Sequence, residues 1–171
     1  MSALKISSQQ LQIIQHYAQQ SYPEECCGVL LGTVDSLHQD SDQQKTLVEV
    51  VPTVNAWNEA IAAELQEAQL IPPSRHPGTA ARRDRYWINP QDLFSVQQSG
   101  RERGLQIVGF YHSHPDHPAV PSECDRLLAW SSYSYIIVSV VEGKVAATQS
   151  WSLNAQNQFE AEKLNFDTER S

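Results

Sequence analysis

The sequence predicts an α/β domain with a mixed β-sheet flanked by helices, and three observations carry that prediction. Segments with explicit helix start and stop signals alternate with short runs rich in β-branched and aromatic residues, which is the order of an α/β layer structure. The chain has 171 residues, the size of one domain, and is read as a single domain over 1–171. Hydrophobic residues make up 40% and charged residues 19%, so a core can form without a disulfide framework or a structural metal.

Taken in order, residues 8–20 place Leu11, Ile14 and Ala18 on one helical stripe, with Ser7 or Ser8 as cap and Pro23 beyond the end. Cys26 to Thr33 is a short apolar run that suits a strand covered on both faces, and Thr46 to Val54 reads as a second strand. Glu59 to Leu70 contains good helix formers, while the prolines, glycine and arginines that follow predict irregular chain. The whole of 56–84 interrupts the rhythm of the domain and is expected to be a mobile insertion.

The next helix is marked by Asn89 as N-cap, Pro90 at the first helical position, Asp92 in the first turn and Gly104 as stop. Leu105 to Ser113 then reads as a strand, followed by a proline-rich turn and a short helix from Ser122 to about Ser131. Tyr135 to Val141, the turn at Glu142 to Lys144, and Val145 to Leu153 form a hairpin, and a weaker strand spans Phe159 to Leu164. The last six residues, from Phe166, are expected to fray.

The balance of charge, 12 basic against 20 acidic residues, gives −8 and repels nucleic acid and anionic membrane. The first ten residues lack an apolar leader core, and the longest apolar stretch, around Tyr135 to Val141, is too short to span a bilayer. Three cysteines, two of them adjacent at Cys26 and Cys27, form neither a disulfide framework nor a zinc ribbon. A cytoplasmic protein is expected.

The chemistry lies between His112 and Asp125. His112 and His114 are two residues apart at a strand end, so both imidazoles face the same side. Ser122 and Asp125 open the following helix, and Asp125 can supply a third ligand if that helix starts beside the strand end. Two histidines and one carboxylate leave the fourth tetrahedral position open, as in a catalytic zinc site. Ser122-x-x-Asp125 is also a capping box. The two readings are compatible, because a helix that caps itself can still aim Asp125 at a metal.

The order His112-Ser113-His114-Pro115, with seven residues between His114 and Ser122, then Ser122-x-x-Asp125, resembles the signature of the JAMM, or MPN-plus, zinc metalloprotease family. The same family places a glutamate ahead of a glycine and an aliphatic run, and Glu25-Cys26-Cys27-Gly28 followed by Val29, Leu30 and Leu31 matches it. Weaker matches are Arg85-Tyr86 before Asn89-Pro90, and Gly104-Leu105 through Val108-Gly109 into Tyr111-His112. The chain is similar to bacterial single-domain members over nearly its whole length, apart from 56–84. The resemblance implies an MPN/JAMM-like, cytidine-deaminase-like layered fold. It further implies that His112, His114 and Asp125 bind one zinc ion, that Glu25 holds and deprotonates the attacking water, and that Ser122 donates a hydrogen bond to the oxyanion.

The implied reaction is hydrolysis of an amide or isopeptide bond at the C-terminal Gly-Gly tail of a ubiquitin-like or sulfur-carrier protein. Glycines would suit a narrow approach to the metal, and 56–84 would fold over the extended tail. The competing reading is a non-catalytic MPN module that serves as an assembly scaffold, although such modules lack the ligands that this chain possesses. A nucleobase deaminase would need H-x-E and P-C-x-x-C, and neither occurs. His117 lies in the active-site turn, where it either touches substrate or faces solvent. Cys26, Cys27 and Cys124 read as small apolar residues rather than nucleophiles. Arg82, Arg83 and Arg85 form either a solvated loop or a guide for an acidic partner, and Trp57, Trp87, Trp130 and Trp151 are expected in the core or at its rim.

Overall fold

A computed structural model describes residues 2–35, 43–73 and 78–167. The described elements are β1 (Ala3–Ile6), α1 (Ser8–Ser21), β2 (Cys27–Asp35), β3 (Gln44–Thr53), α2 (Glu59–Glu67), α3 (Pro90–Glu102), β4 (Gln106–Pro115), α4 (Glu123–Leu128), β5 (Ser134–Val141), β6 (Lys144–Leu153) and β7 (Phe159–Phe166), with a 3-10 turn at Gly78–Arg83. The strands follow the order β1-β3-β2-β4-β5-β6-β7, and β7 returns to β1, so the mixed sheet closes on itself. The pairs β1–β3, β1–β7 and β4–β5 are parallel and the others antiparallel. The α/β class and mixed sheet agree with the sequence reading.

The closure depends on β1, which the sequence reading missed. Four residues are too few to reveal a period, and Ala3–Ile6 becomes a strand only because β3 and β7 flank it. Beside this seam a polar cluster is buried: Lys45 Nζ stands 3.5 Å from Glu162 Oε2 and 3.1 Å from Ser134 Oγ, and Ser150 Oγ donates to Glu162 Oε1 at 2.9 Å. A single unpaired charge there would be costly, and the partners satisfy one another.

Helix α1 starts where expected, with Ser7 as N-cap and a reciprocal bond from Gln10. Its Ile14 and Ala18 join Leu4, Leu30, Val108, Ile136 and Val138 in the main core, and Leu11 packs against it. Helix α3 begins at Pro90 under the Asn89 cap, and Gly104 follows it with φ +71°, a conformation that favours glycine. Gly109 is required for a different reason: a Cβ there would stand 2.1 Å from the Ser134 carbonyl oxygen, where β4 and β5 approach closely.

Several boundaries differ from expectation. Helix α4 stops at Leu128 rather than near Ser131, because Ala129 turns extended and the Tyr135 hydroxyl accepts the Trp130 amide at 2.8 Å. Strand β7 continues to Phe166, and Asp167 pairs with Lys5 at 2.7 Å, so fraying does not begin at Phe166; residues 168–171 lie outside the described residues. Within 56–84, α2 ends at Glu67 ahead of Gln69, which has φ 56°. The stretch expected to be irregular contains the 3-10 turn, and a second cluster of Trp57, Leu65, Ile71, Ala81 and Cys124 packs this segment onto the domain. The mobility expected of the insertion also covers residues 74–77, which lie outside the described residues. No helix among the described residues is long and apolar enough to cross a membrane.

Candidate metal centre

The site forms where the C-terminal end of β4 meets the start of β2 and the first turn of α4. Alternation along β4 sends His112 and His114 to one face and Ser113 to the other, where Ser113 Oγ accepts the Cys26 amide at 2.8 Å. The antiparallel register sets Cys27 opposite His112. Glu25, two residues before Cys27, therefore comes alongside His114, with Oε1 3.7 Å from Nε2. A long loop return then places α4 so that Asp125 Oδ2 lies 3.2 Å from His112 Nε2 and 3.1 Å from His114 Nε2.

The capping box and the convergence are one structure. Ser122 Oγ accepts the Asp125 amide at 3.0 Å, while the Ser122 amide donates to Asp125 Oδ2 at 2.8 Å. The helix cap thus holds the carboxylate in the orientation that presents it to the histidines. All five residues singled out in the sequence, Glu25, His112, His114, Ser122 and Asp125, are brought together.

The donor set fits a small divalent cation. His114 Nδ1 donates to the Pro118 carbonyl at 2.9 Å, because the carbonyl can only accept, and this leaves the lone pair of the neutral ring on Nε2. The two Nε2 atoms stand 3.1 Å apart, and Asp125 Oδ2 completes a near-equilateral triangle with them. Three lone pairs in contact repel unless a proton or a cation lies among them. Ligands at zinc distances in a tetrahedron stand about 3.3–3.4 Å apart, close to the 3.1–3.2 Å triangle found here. Glu25 reaches the same cluster, and its ligand atom and those of the two histidines all lie within 4.8 Å of one another.

The electrostatics describe the same demand for positive charge. Burial pushes the Glu25 carboxyl well above the usual range, and Asp125 and Asp84 push it further, against the pull of Arg85. Burial would also raise Asp125, but the two histidines outweigh it and hold that carboxyl well below the usual range. Burial lowers His112 despite Asp125; for His114 burial acts in the same direction, but the Asp125 interaction and the Pro118 carbonyl prevail and raise it. A dication would reverse this logic by stabilising both carboxylates and neutral imidazoles. Glu25 Oε2 and His112 Nδ1 are buried without hydrogen-bond partners among the described residues.

Three residues of the site escaped the sequence reading or were undervalued by it. Asn55 is a clamp: its Nδ2 donates to the carbonyls of Glu25 (3.1 Å) and Arg85 (3.0 Å), and its Oδ1 accepts the amides of Trp57 (3.1 Å) and Trp87 (3.2 Å). No periodicity or motif marks it. Tyr86 stacks on His112 at 4.5 Å and 24°, and its only signal was the Arg85-Tyr86 pair. Arg85 is nine-tenths buried, unlike a solvated loop arginine, while Arg82 Nε donates to the Trp57 carbonyl at 2.8 Å.

Two clefts flank the site. The larger, about 490 Å³, is bordered by Glu25, Arg83, Arg85, His114, Ser122 and Pro72. The other, about 280 Å³, is bordered by Arg85, Trp87, Phe110, Asp125, Trp130 and Tyr135. His117 also borders the larger cleft. Burial raises the thiols of Cys26 to about 11 and of Cys27 and Cys124 to about 12, so none is a thiolate nucleophile.

Known proteins give an independent comparison. The family model described as prokaryotic homologs of the JAB domain matches residues 7–154. A desampylase of Haloferax volcanii is 33% identical over 126 residues, 73% of this chain and 68% of that protein. The solution structure of a Salinibacter ruber protein superposes with a TM-score of 0.61 at 29% identity, covering 98% of this chain and 93% of the other. A Desulfitobacterium hafniense protein, also solved in solution, gives a TM-score of 0.66 at 23% identity over 99% and 94% of the two chains, and supports the fold. The family match spans the strand pair, the cap and the glutamate that build the site, and the chain belongs to the JAMM/MPN family as one of the prokaryotic homologs of the JAB domain.

Proposed function

We propose that this protein is a cytoplasmic zinc peptidase that hydrolyses the amide bond after the C-terminal Gly-Gly of a ubiquitin-like or sulfur-carrier protein. The observation that carries the proposal is the convergence of His112 Nε2, His114 Nε2 and Asp125 Oδ2 at 3.1–3.2 Å, with Glu25 beside them. These three residues would hold the metal. The similarity to a desampylase supports a protein tail as substrate. The three buried, unpaired cysteines suit a reducing compartment.

When bound, zinc supplies Lewis acidity and brings the pKa of water toward about 7. Glu25 is the general base, taking a proton from the attacking water and returning it to the leaving amine. Its backbone is fixed for this by the Glu25 amide, which donates to the Arg82 carbonyl at 2.7 Å, and by Asn55. Ser122 uses its oxygen as acceptor for the Asp125 amide, which leaves its own proton free to donate to the substrate oxyanion. The segment 56–84 borders the substrate path, since Pro72 and Arg83 line the larger cleft.

Elemental analysis of the purified protein, with Asp125→Ala as control, tests the centre. About one zinc per chain, lost or much weakened in the variant, is expected. Absence of zinc from both proteins after incubation with the metal would overturn the proposal, leave the capping box purely structural and favour the assembly module.

A further inference from the structure

We propose that Arg85 selects the leaving side of the substrate by pairing with the free α-carboxylate of the residue released after the Gly-Gly tail. This rests on the peptidase reading above and adds a residue that decides which substrates are used. Arg85 is an unusual side chain. It is 10% exposed, its Nε has no hydrogen-bond partner among the described residues, and its Nη1 donates to the neighbouring Asp84 carbonyl at 3.0 Å. The Asp84 carboxylate forms an ion pair with Nη1 at 3.7 Å, too long for a direct hydrogen bond, so it offsets the charge without using the donors. A guanidinium carries five N–H donors, and burying it with some unused is unfavourable unless a ligand completes the set.

Its position indicates which ligand. Arg85 stands on the wall common to both clefts, so a peptide crossing the reaction centre passes it. Glu25 hands its proton to the leaving amine, and the leaving side therefore lies in the cleft that Glu25 borders. That cleft contains Arg83 as well as Arg85, whereas the aromatic cleft has Arg85 alone among arginines. In a released amino acid the α-carboxylate is two bonds from the amine, about 2.5 Å away. Glu25, Asp84 and Glu123 border the same cleft, and although Glu123 is paired with Arg126, the carboxylates there disfavour a further anion that lacks a cation partner. The planar fork of arginine matches a carboxylate. Asn55 Nδ2 ties the backbone carbonyls of Arg85 and Glu25 together at 3.0 and 3.1 Å, which fixes the distance between base and carboxylate reader. An isopeptide to a lysine side chain offers no carboxylate at that place.

The test compares two synthetic peptides ending in Gly-Gly-Ala, one a free acid and one a C-terminal amide, with the zinc-loaded full chain. The acid is expected to be favoured at least about tenfold in kcat/KM, as for a charge-assisted pair. Arg85→Gln should reduce the preference to less than about threefold, and Arg85→Lys should retain part of it by keeping the charge without the fork. Equal use of acid and amide by the unmodified protein would overturn the proposal, as would a preference that survives Arg85→Gln. A second readout needs neither turnover nor a stable variant: in the metal-free chain the Arg85 Nε–H nuclear magnetic resonance should move with the acid peptide and stay in place with the amide. If neither peptide is cut while that resonance responds to the acid alone, the peptidase reading fails and the carboxylate site stands. Hydrolysis without preference, or a resonance indifferent to the acid, removes the role of Arg85 and leaves the peptidase reading intact.

Discussion

Ser122 is expected to do two jobs that substitution can separate. As N-cap of α4 its Oγ accepts the Asp125 amide at 3.0 Å, and loss of such a cap costs about 1 kcal/mol, within a range of roughly 0.5–2. For a domain of this size that lowers Tm by about 2–4 °C. As oxyanion donor the same hydroxyl accounts for about 10²–10³ in kcat, or roughly 2.7–4 kcal/mol of transition-state stabilisation. The second magnitude exceeds the first, and a 2–4 °C shift leaves the chain folded at 25 °C, so stability cannot imitate the loss of turnover. Ser122→Ala should show both effects. Ser122→Gly removes the side-chain donor while costing the cap only about a few tenths of a kcal/mol, so it should keep Tm near the starting value while kcat falls about a hundredfold or more. Ser122→Thr should retain most of both. The Ser122 amide that holds Asp125 Oδ2 at 2.8 Å is main chain and survives every variant, so zinc content should be unchanged. Steady-state hydrolysis of a Gly-Gly-tailed carrier, thermal unfolding and metal analysis on the same samples give the three numbers. If Ser122→Gly turns over within about fivefold of the parent with zinc bound, the oxyanion role is wrong and Ser122 is only a cap.

Two further outcomes follow from the geometry. Glu25→Gln should keep zinc on His112, His114 and Asp125 yet lower kcat by about 10²–10⁴; turnover within about threefold of the parent would remove Glu25 as base. Stability should fall as pH rises above about 8.5–9, where thiols of the unfolded chain ionise, because burial raises native Cys26 to about 11 and Cys27 and Cys124 to about 12. The native state then binds more protons than the unfolded one, and each thiol contributes a slope of up to about 1.4 kcal/mol per pH unit until its native pKa is passed. Lys45, which burial lowers, opposes this with the slope of a single group. Urea unfolding at pH 8, 9 and 10 measures the result, and a stability that stays level or rises over that range would show the thiols not to be buried as described.

The features legible in the sequence are those that depend on neighbours within a few residues. The Ser7 and Asn89 caps, the Leu11, Ile14 and Ala18 stripe, and the alternation that puts His112 and His114 on one face are local, and all are found. The Ser122-x-x-Asp125 spacing predicted both a cap and a ligand position, and the structure shows that one arrangement serves both. The sequence predicts helix α4 to about Ser131 because that residue and its neighbours carry no strong stop signal; the Tyr135 hydroxyl on the Trp130 amide, a tertiary contact, ends it at Leu128.

Tertiary structure decided whatever depends on close approach between distant segments. Glu25 gains its place from the register of β2 against β4, and Asn55 its function from the meeting of the Glu25 and Arg85 segments. Four residues at Ala3–Ile6 are a strand only between β3 and β7, and Lys45 and Glu162, residue types that are mostly exposed in folded proteins, become the polar seam of a closed sheet. Arg85 belongs to the same class, a charged residue in an arginine-rich loop that packing buries beside the reaction centre. Caps and periodic stripes are short-range, because the backbone groups and faces involved lie within one or two turns of each other. Burial, register and the pairing of distant charges arise only when the chain has closed, and no local pattern encodes them.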